Sequence, residues 1–147
     1  ASLKVGDVVD GEGNIKDTVL LTKYMTKGNS ANSVYLSEFV KKEIQKYLES
    51  NTERLVTLKS ALIYSQRTGG HFSSQTLQIL FKTLYSNVGI NASSHSGRRF
   101  FITDLSEKGV SVRVIQELAR HRDLATTQRY IDVSVDKLRN AVNLVGF

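Results

Sequence analysis

The spacing of apolar residues changes near residue 37, and no other feature of this 147-residue chain constrains its fold as strongly. Before that point, residues 2–9 alternate loosely and residues 15–24 are rich in β-branched and aromatic side chains, with a turn between them, which is typical of a hairpin. A second turn at residues 27–30 leads to a short strand at residues 33–36. The first part of the chain therefore predicts a small antiparallel sheet of three strands.

Beyond residue 37 the apolar residues recur at the spacing of amphipathic helices. A short helix is expected at residues 126–131 and a last helix at residues 135–145. Serines suited to the N-cap position stand before most of the predicted helices: Ser37, Ser73 or Ser74, Ser94, Ser111 and Ser134. The pattern as a whole predicts an α+β fold that is mainly helical, with the small sheet near its N-terminus.

The composition predicts one globular domain, residues 1–147, in the cytoplasm. The length allows a sizeable core but not two full domains. No apolar run is long enough to span a membrane, and the N-terminal stretch lacks the basic and apolar regions of a secretory signal. The absence of cysteine fits a reducing cytosol, and the net charge of +6 favours a polyanionic partner such as nucleic acid.

The residues best suited to chemistry lie in the last third of the chain. His95 and Arg98 are three positions apart on a predicted helix, so both point to one side. His121 follows, and Tyr130 comes nine residues later. The histidines of the chain lie far apart in sequence and lack a further ligand at short spacing, so no zinc site is expected.

These residues fall in segments that resemble the signature of the tyrosine recombinase, or phage integrase, family. Residues 95–98 read His-Ser-Gly-Arg, residues 118–121 read Leu-Ala-Arg-His, and residues 126–130 read Thr-Thr-Gln-Arg-Tyr. Residues 26–36, with Lys27 in the turn, are similar to the lysine-bearing β-hairpin of the family. Four such segments occur in the family's order and spacing, and the resemblance extends to about Val133.

The resemblance implies a helical catalytic domain that cuts and rejoins double-stranded DNA. Tyr130 would be the nucleophile and would hold the DNA 3′ end as a phosphotyrosine. Arg98 would clamp the phosphate, and a guanidinium suits that role because it stays charged and can bind two phosphate oxygens. His95 and His121 would assist with the proton or the phosphate charge, and Lys27 would protonate the departing 5′ oxygen. The bond energy stays in the phosphotyrosine, so no metal ion and no ATP are implied.

Each assignment has a structural alternative. His95 could cap a helix, and His121 could be favoured by the dipole at a helix C-terminus. Lys23 competes with Lys27 for the hairpin role. Four arginines are candidates for contacts with the DNA backbone, although a solvated basic face would also account for them: Arg67, Arg99, Arg122 and Arg129.

The chain departs from the family pattern at several positions. Arg120 replaces the usual glycine before His121, and arginine takes a positive φ only with strain. Gly97 replaces a common leucine, and residues 30–33 are neutral where relatives are often basic. The first catalytic arginine of the family is expected shortly before Ala1. We therefore expect a catalytic domain truncated at its N-terminus, without the separate DNA-binding domain and with little or no activity as given.

Two other functions fit part of the sequence. Residues 111–121 and 125–131 could form a helix-turn-helix in a non-catalytic DNA-binding module, and a type IB topoisomerase would use the same nucleophile. The apolar stripe of the last helix, as in similar recombinases, could dock on a neighbouring protomer. We therefore expect a homo-oligomer on DNA, a tetramer, in a prokaryotic cell.

Overall fold

The computed structural model describes residues 2–26, 30–53, 57–133 and 135–145, which divide into two compact units, Ala1–Leu84 and Tyr85–Phe147. Helices predominate, and a small antiparallel sheet lies near the N-terminus, as predicted. The elements are α1 (Val5–Val8), β1 (Thr18–Leu21), a 3-10 turn (Lys23–Met25), β2 (Asn32–Tyr35), α2 (Glu38–Glu49), α3 (Ser74–Asn87), α4 (Ser96–Glu107), α5 (Val112–Ala119), α6 (Leu124–Gln128) and α7 (Val135–Asn143).

The sheet of the first unit has two strands in the described part of the chain, so the predicted count of three is not confirmed. β1 pairs with β2 antiparallel, with Thr18 opposite Tyr35. The segment expected as the third strand instead forms the helical turn α1, and only an isolated bridge joins Val9 to Ile15. The physical reason is local: the backbone N–H of Lys4 donates to the Asp7 carboxylate at 2.8 Å, which closes the first helical turn.

The core of the first unit lies between α1, the sheet and α2. Val8, Val19 and Leu62 are buried together, and Ile44 and Leu48 of α2 pack against them. α2 begins where the sequence predicts, because the Ser37 hydroxyl accepts a hydrogen bond from the backbone N–H of Val40. The apolar stripe of α2, the first helix after the change in apolar spacing, therefore packs against this core.

In the second unit α4 packs against α5. Ile102 of α4 and Ile115 and Ala119 of α5 are buried together, and Tyr130 and Ile131 pack against this cluster. The Ser111 hydroxyl caps α5 by accepting from the backbone N–H of Val114, as predicted. The core thus places the residues that follow α6 next to α4 and α5.

Several predicted helix boundaries shift. α4 begins at Ser96 with His95 in the N-cap position, and α6 begins at Leu124, where the Asp123 carboxylate accepts from the backbone N–H of Ala125. Ser73 caps α3 through the N–H of Thr76. The predicted cap Ser134 lies outside the described residues. Across the described residues, every helix falls short of the length and apolar content that a membrane span requires.

We predict that Ile115→Ala lowers the free energy of unfolding by about 2–5 kcal/mol, because it leaves a cavity in a fully buried position. Denaturant unfolding followed by circular dichroism measures the effect. Val114→Ala is the matched control on the same helix: its side chain is 48% exposed, so the change should stay within about 0.5 kcal/mol. Equal losses in the two variants would contradict the packing described here.

Candidate active site

Several candidate catalytic side chains of the second unit lie near the end of α5. Arg98, in the first turn of α4, donates from Nη1 to the carbonyl oxygen of Ala119, the last residue of α5, at 3.1 Å. The last carbonyls of a helix have no partner within the helix, and they lie at the negative end of its dipole. The structure therefore holds the Arg98 guanidinium beside the residues that follow α5.

His121 is fixed by hydrogen bonds to both its ring and its backbone. Its Nδ1 lies 2.9 Å from the hydroxyl oxygen of Thr127, a residue of α6 that is fully buried. Its backbone N–H donates to the carbonyl of Gln116, and the Gln116 side-chain amide donates back to the His121 carbonyl at 3.0 Å. Among the described residues, the other ring nitrogen has no hydrogen-bond partner. His121 is thus oriented with Nε2 available to a ligand.

The surroundings of His121 favour its neutral form. Partial burial lowers the pKa of the imidazole below its usual value, and the positive charge of Arg98 lowers the pKa further. A neutral imidazole can accept a proton at Nε2 when Nδ1 carries the hydrogen that bonds Thr127. The site therefore offers a base next to a fixed cation.

Tyr130 lies against His121 and α4. The centroids of the Tyr130 and His121 rings are 6.1 Å apart, and the ring planes meet at 29°. The guanidinium carbon of Arg99 lies 5.9 Å from the Tyr130 ring centroid, which is within cation–π range. The Thr103 hydroxyl, one helical turn beyond Arg99, donates to the Tyr130 carbonyl at 3.3 Å. Side chains of α4 therefore hold Tyr130 from one side and His121 flanks it.

The structure does not bring all the predicted residues together. His95 is exposed at the start of α4 and makes no side-chain capping hydrogen bond, so the capping alternative is not supported. Lys27 lies outside the described residues. The competing Lys23 is described, and its ammonium lies 5.1 Å from the Tyr24 ring centroid in the first unit.

The four arginines predicted to contact DNA have different surroundings. Arg99 contacts Tyr130, as described above. Arg122 and Arg129 are exposed on either side of α6, in the segment between His121 and Tyr130. Arg67 is exposed in a turn of the first unit. Within the described residues no group of three or more His, Asp or Glu side chains is arranged to hold a metal ion.

Some residues of the site carry no separate signal in the sequence. Thr127 falls inside the Thr-Thr-Gln segment, but its bond to His121 is a tertiary contact that spacing alone does not indicate. Gln116 and Thr103 look like ordinary helix residues until α4 and α5 are packed together. The sequence leaves the geometry of this helix end open, and in the structure Arg120 takes a positive φ, with φ 57° and ψ 42°.

The chain belongs to a family of DNA recombinases, the phage integrase family. The model of the phage integrase family matches residues 1–137. The chain is 30% identical over 144 residues to the tyrosine recombinase XerA of Pyrococcus horikoshii, an alignment that covers 96% of this chain and 47% of that protein. The chain therefore spans about half the length of this curated relative.

Solved structures agree with this assignment. The crystal structure of XerA recombinase superposes with a TM-score of 0.72 and 26% identity, covering 97% of this chain and 50% of that one. The XerH site-specific recombinase bound to palindromic difH substrate, a post-cleavage complex, matches with a TM-score of 0.69 and 23% identity over 96% of this chain and 39% of that one. At 23% identity, the match to XerH shows a shared fold and nothing further.

We predict that the imidazole of His121 titrates with a midpoint below the usual value of about 6.5, because burial and Arg98 both disfavour its charged form. NMR of the ring protons against pH measures the midpoint. Arg98→Gln should raise it, whereas Lys108→Gln at the other end of α4 should leave it unchanged.

The lowered pKa of His121 also determines how the stability of the protein changes with pH. The unfolded chain takes up this proton at a higher pH than the folded protein does, so the contribution of His121 to stability is present above about pH 6.5 and is lost as the pH falls below it. A midpoint at or above 6.5 in the folded protein would contradict the geometry.

Proposed function

We propose that the protein cleaves and rejoins DNA strands in site-specific recombination, with Tyr130 as nucleophile. The observation that carries this proposal is the placement of the Tyr130 ring beside His121, whose Nδ1 is bound to Thr127, with Arg98 anchored at the end of the preceding helix. A nucleophile, a base and a fixed cation are the groups that attack on a phosphodiester requires. Membership of the phage integrase family supports the same reading.

The proposed reaction exchanges one phosphoester for another. The Tyr130 hydroxyl oxygen attacks phosphorus, its proton passes to a base, and the bond between phosphorus and the 5′ oxygen breaks. The DNA 3′ end then stays on the tyrosine, and the 5′ oxygen takes up a proton. Attack by a 5′ hydroxyl reverses these steps and restores the phosphodiester, so no external energy source is needed.

The side chains can be assigned to these steps. Phenols ionise near pH 10, so a tyrosine nucleophile at neutral pH needs a base, and we assign this role to neutral His121, whose ring centroid lies 6.1 Å from that of Tyr130. Arg98 would bind the non-bridging oxygens and offset the charge that develops on them. We assign His95 to the same phosphate and Lys27 to protonation of the 5′ oxygen on the family resemblance.

The proposed partner is double-stranded DNA. The net charge of +6 and the exposed arginines Arg122 and Arg129 next to the site favour binding to the polyanionic DNA backbone. We propose that Arg99 and Arg67 also contact the DNA backbone. The XerH complex shows a protein of this fold bound to its DNA substrate. We propose that residues 1–147 belong to the catalytic domain of the protein, and the match of the family model to residues 1–137 supports this.

We predict that Tyr130→Phe abolishes covalent attachment to DNA, because the nucleophilic oxygen is removed. The test selects duplexes bound from a random pool, introduces a nick that traps the cleaved strand, and detects the protein–DNA adduct on a denaturing gel. The assay uses residues 1–147 and, because the resemblance assigns a first catalytic arginine to a position before Ala1, is repeated with an N-terminal extension that supplies an arginine.

The controls separate the alternatives. Tyr24→Phe removes an exposed tyrosine hydroxyl from the other unit and should leave the adduct unchanged, whereas Arg98→Ala should reduce its rate by about 100- to 1,000-fold. An adduct that persists in Tyr130→Phe would refute the nucleophile. Sequence-specific binding without any adduct would favour the non-catalytic module, and relaxation of supercoils without strand exchange would favour a topoisomerase.

We also propose that the protein assembles as a homotetramer on DNA through α7. Val135, Leu138 and Val142 lie on one face of this helix, and all three are exposed. Arg139 and Asn143 border the same face. An exposed apolar stripe on a terminal helix is a common docking element for another protein surface.

We predict that Leu138→Glu prevents this assembly, because it places a charge in the apolar stripe. Sedimentation of the protein–DNA complex measures the stoichiometry. Asn140→Glu adds the same charge to the same helix outside the stripe and should leave the stoichiometry unchanged. If both variants assemble like the unmodified protein, α7 is not the contact.

A further inference from the structure

Arg120 has a backbone conformation that arginine rarely takes. With φ 57° and ψ 42° it lies in the left-handed region, and among the described residues it is the one non-glycine residue with positive φ. It ends α5, with its backbone N–H directed to the carbonyls of Gln116 and Glu117. Glycine fills such a position without a steric penalty. Strained residues of this kind concentrate at functional sites, so the side chain of Arg120 merits a functional explanation.

The position of Arg120 brings its side chain near Arg98. The carbonyl that accepts from Arg98 Nη1 belongs to Ala119, the residue directly before Arg120. The three bonds from that oxygen to the Arg120 Cα place Nη1 within about 7 Å of this Cα. Partial burial lowers the pKa of the Arg120 guanidinium below its usual value, and the positive charge of Arg98 lowers it further. The Arg98 guanidinium and the backbone of Arg120 therefore lie together at one end of α5.

In the described part of the chain, neither Arg98 nor Arg120 makes an ion pair. Glu117, one turn before Arg120, is instead paired with Arg113 at 2.8 Å. Like charges held together without a counter-ion raise the local potential and attract an anion.

We propose that Arg120 is an additional phosphate-binding residue, which contacts the DNA backbone beside the phosphate held by Arg98. The inference rests on the proposed function, since it takes DNA as the anion. A guanidinium can bind two phosphate oxygens at once, which suits a ligand placed between two such groups. The left-handed backbone at residue 120 directs the chain out of α5 at this point, and a charged side chain there replaces the glycine that the backbone favours.

The first measurement is the salt dependence of binding to a labelled random-sequence duplex. Arg120→Ala should weaken binding and reduce the slope of log K against log salt by about 1, because one phosphate contact is lost. Arg120→Lys should keep most of the slope. Lys108→Ala is the matched control: it removes the same charge from the far end of α4, where Lys108 is paired with Asp104, and should leave the slope unchanged.

The second measurement is thermal stability, which separates charge from backbone strain. Arg120→Gly should raise Tm by about 3 °C, since glycine relieves the strain, and should lose as much of the salt slope as Arg120→Ala. Arg120→Ala keeps the Cβ and should not show this rise. Stabilisation combined with weaker DNA binding in the glycine variant is the expected signature.

The outcomes are distinct from those of the Tyr130 experiment. An Arg120→Ala slope equal to that of the unmodified protein would overturn the inference even if Tyr130 forms its adduct. A reduced slope would support it even if no adduct forms. No salt-dependent binding by the unmodified protein would overturn both this inference and the proposed function.

Discussion

The contact between α4 and α5 is the interaction on which the candidate site depends. Ile102 and Ile115 are fully buried in it, and burial of such side chains stabilises by about 1.5–3 kcal/mol each. Arg98 precedes Ile102 by one helical turn, and Ala119 follows Ile115 by one turn, so both lie on the faces that meet. The same packing that excludes water therefore brings the guanidinium to the Ala119 carbonyl. A change of register along either helix would separate them.

Much of this arrangement could be predicted from the sequence, because periodicity and capping are local. Ser37 and Ser111 cap their helices as expected, and the family signature singles out Arg98, His121 and Tyr130, which lie near the end of α5 in the structure. These features depend on residues within a turn or two of each other, or on a family signature that records the tertiary fold.

The remaining features depend on contacts that the spacing of residues does not encode. The bond from Thr103 to the Tyr130 carbonyl joins residues far apart in sequence, and it forms only after α4 has packed. The alternation at residues 2–9 indicated a strand, but the hydrogen bond between Lys4 and Asp7 stabilises a helical turn there. Arg99 was assigned to DNA as a surface charge, whereas its guanidinium also lies over the Tyr130 ring. In each case a specific hydrogen bond or ring contact determines the structure, and the spacing of residues in the sequence does not indicate it.

The hydrogen bond between His121 and Thr127 has a consequence for how the site could be controlled. Thr127 belongs to α6, a helix of five residues, and Tyr130 lies two residues beyond its end. The oxygen that orients the imidazole and the phenol beside it are therefore carried on one short segment. A displacement of α6 would change the position of the phenol and the orientation of the imidazole together. A partner that displaced α6 would therefore alter both groups at once.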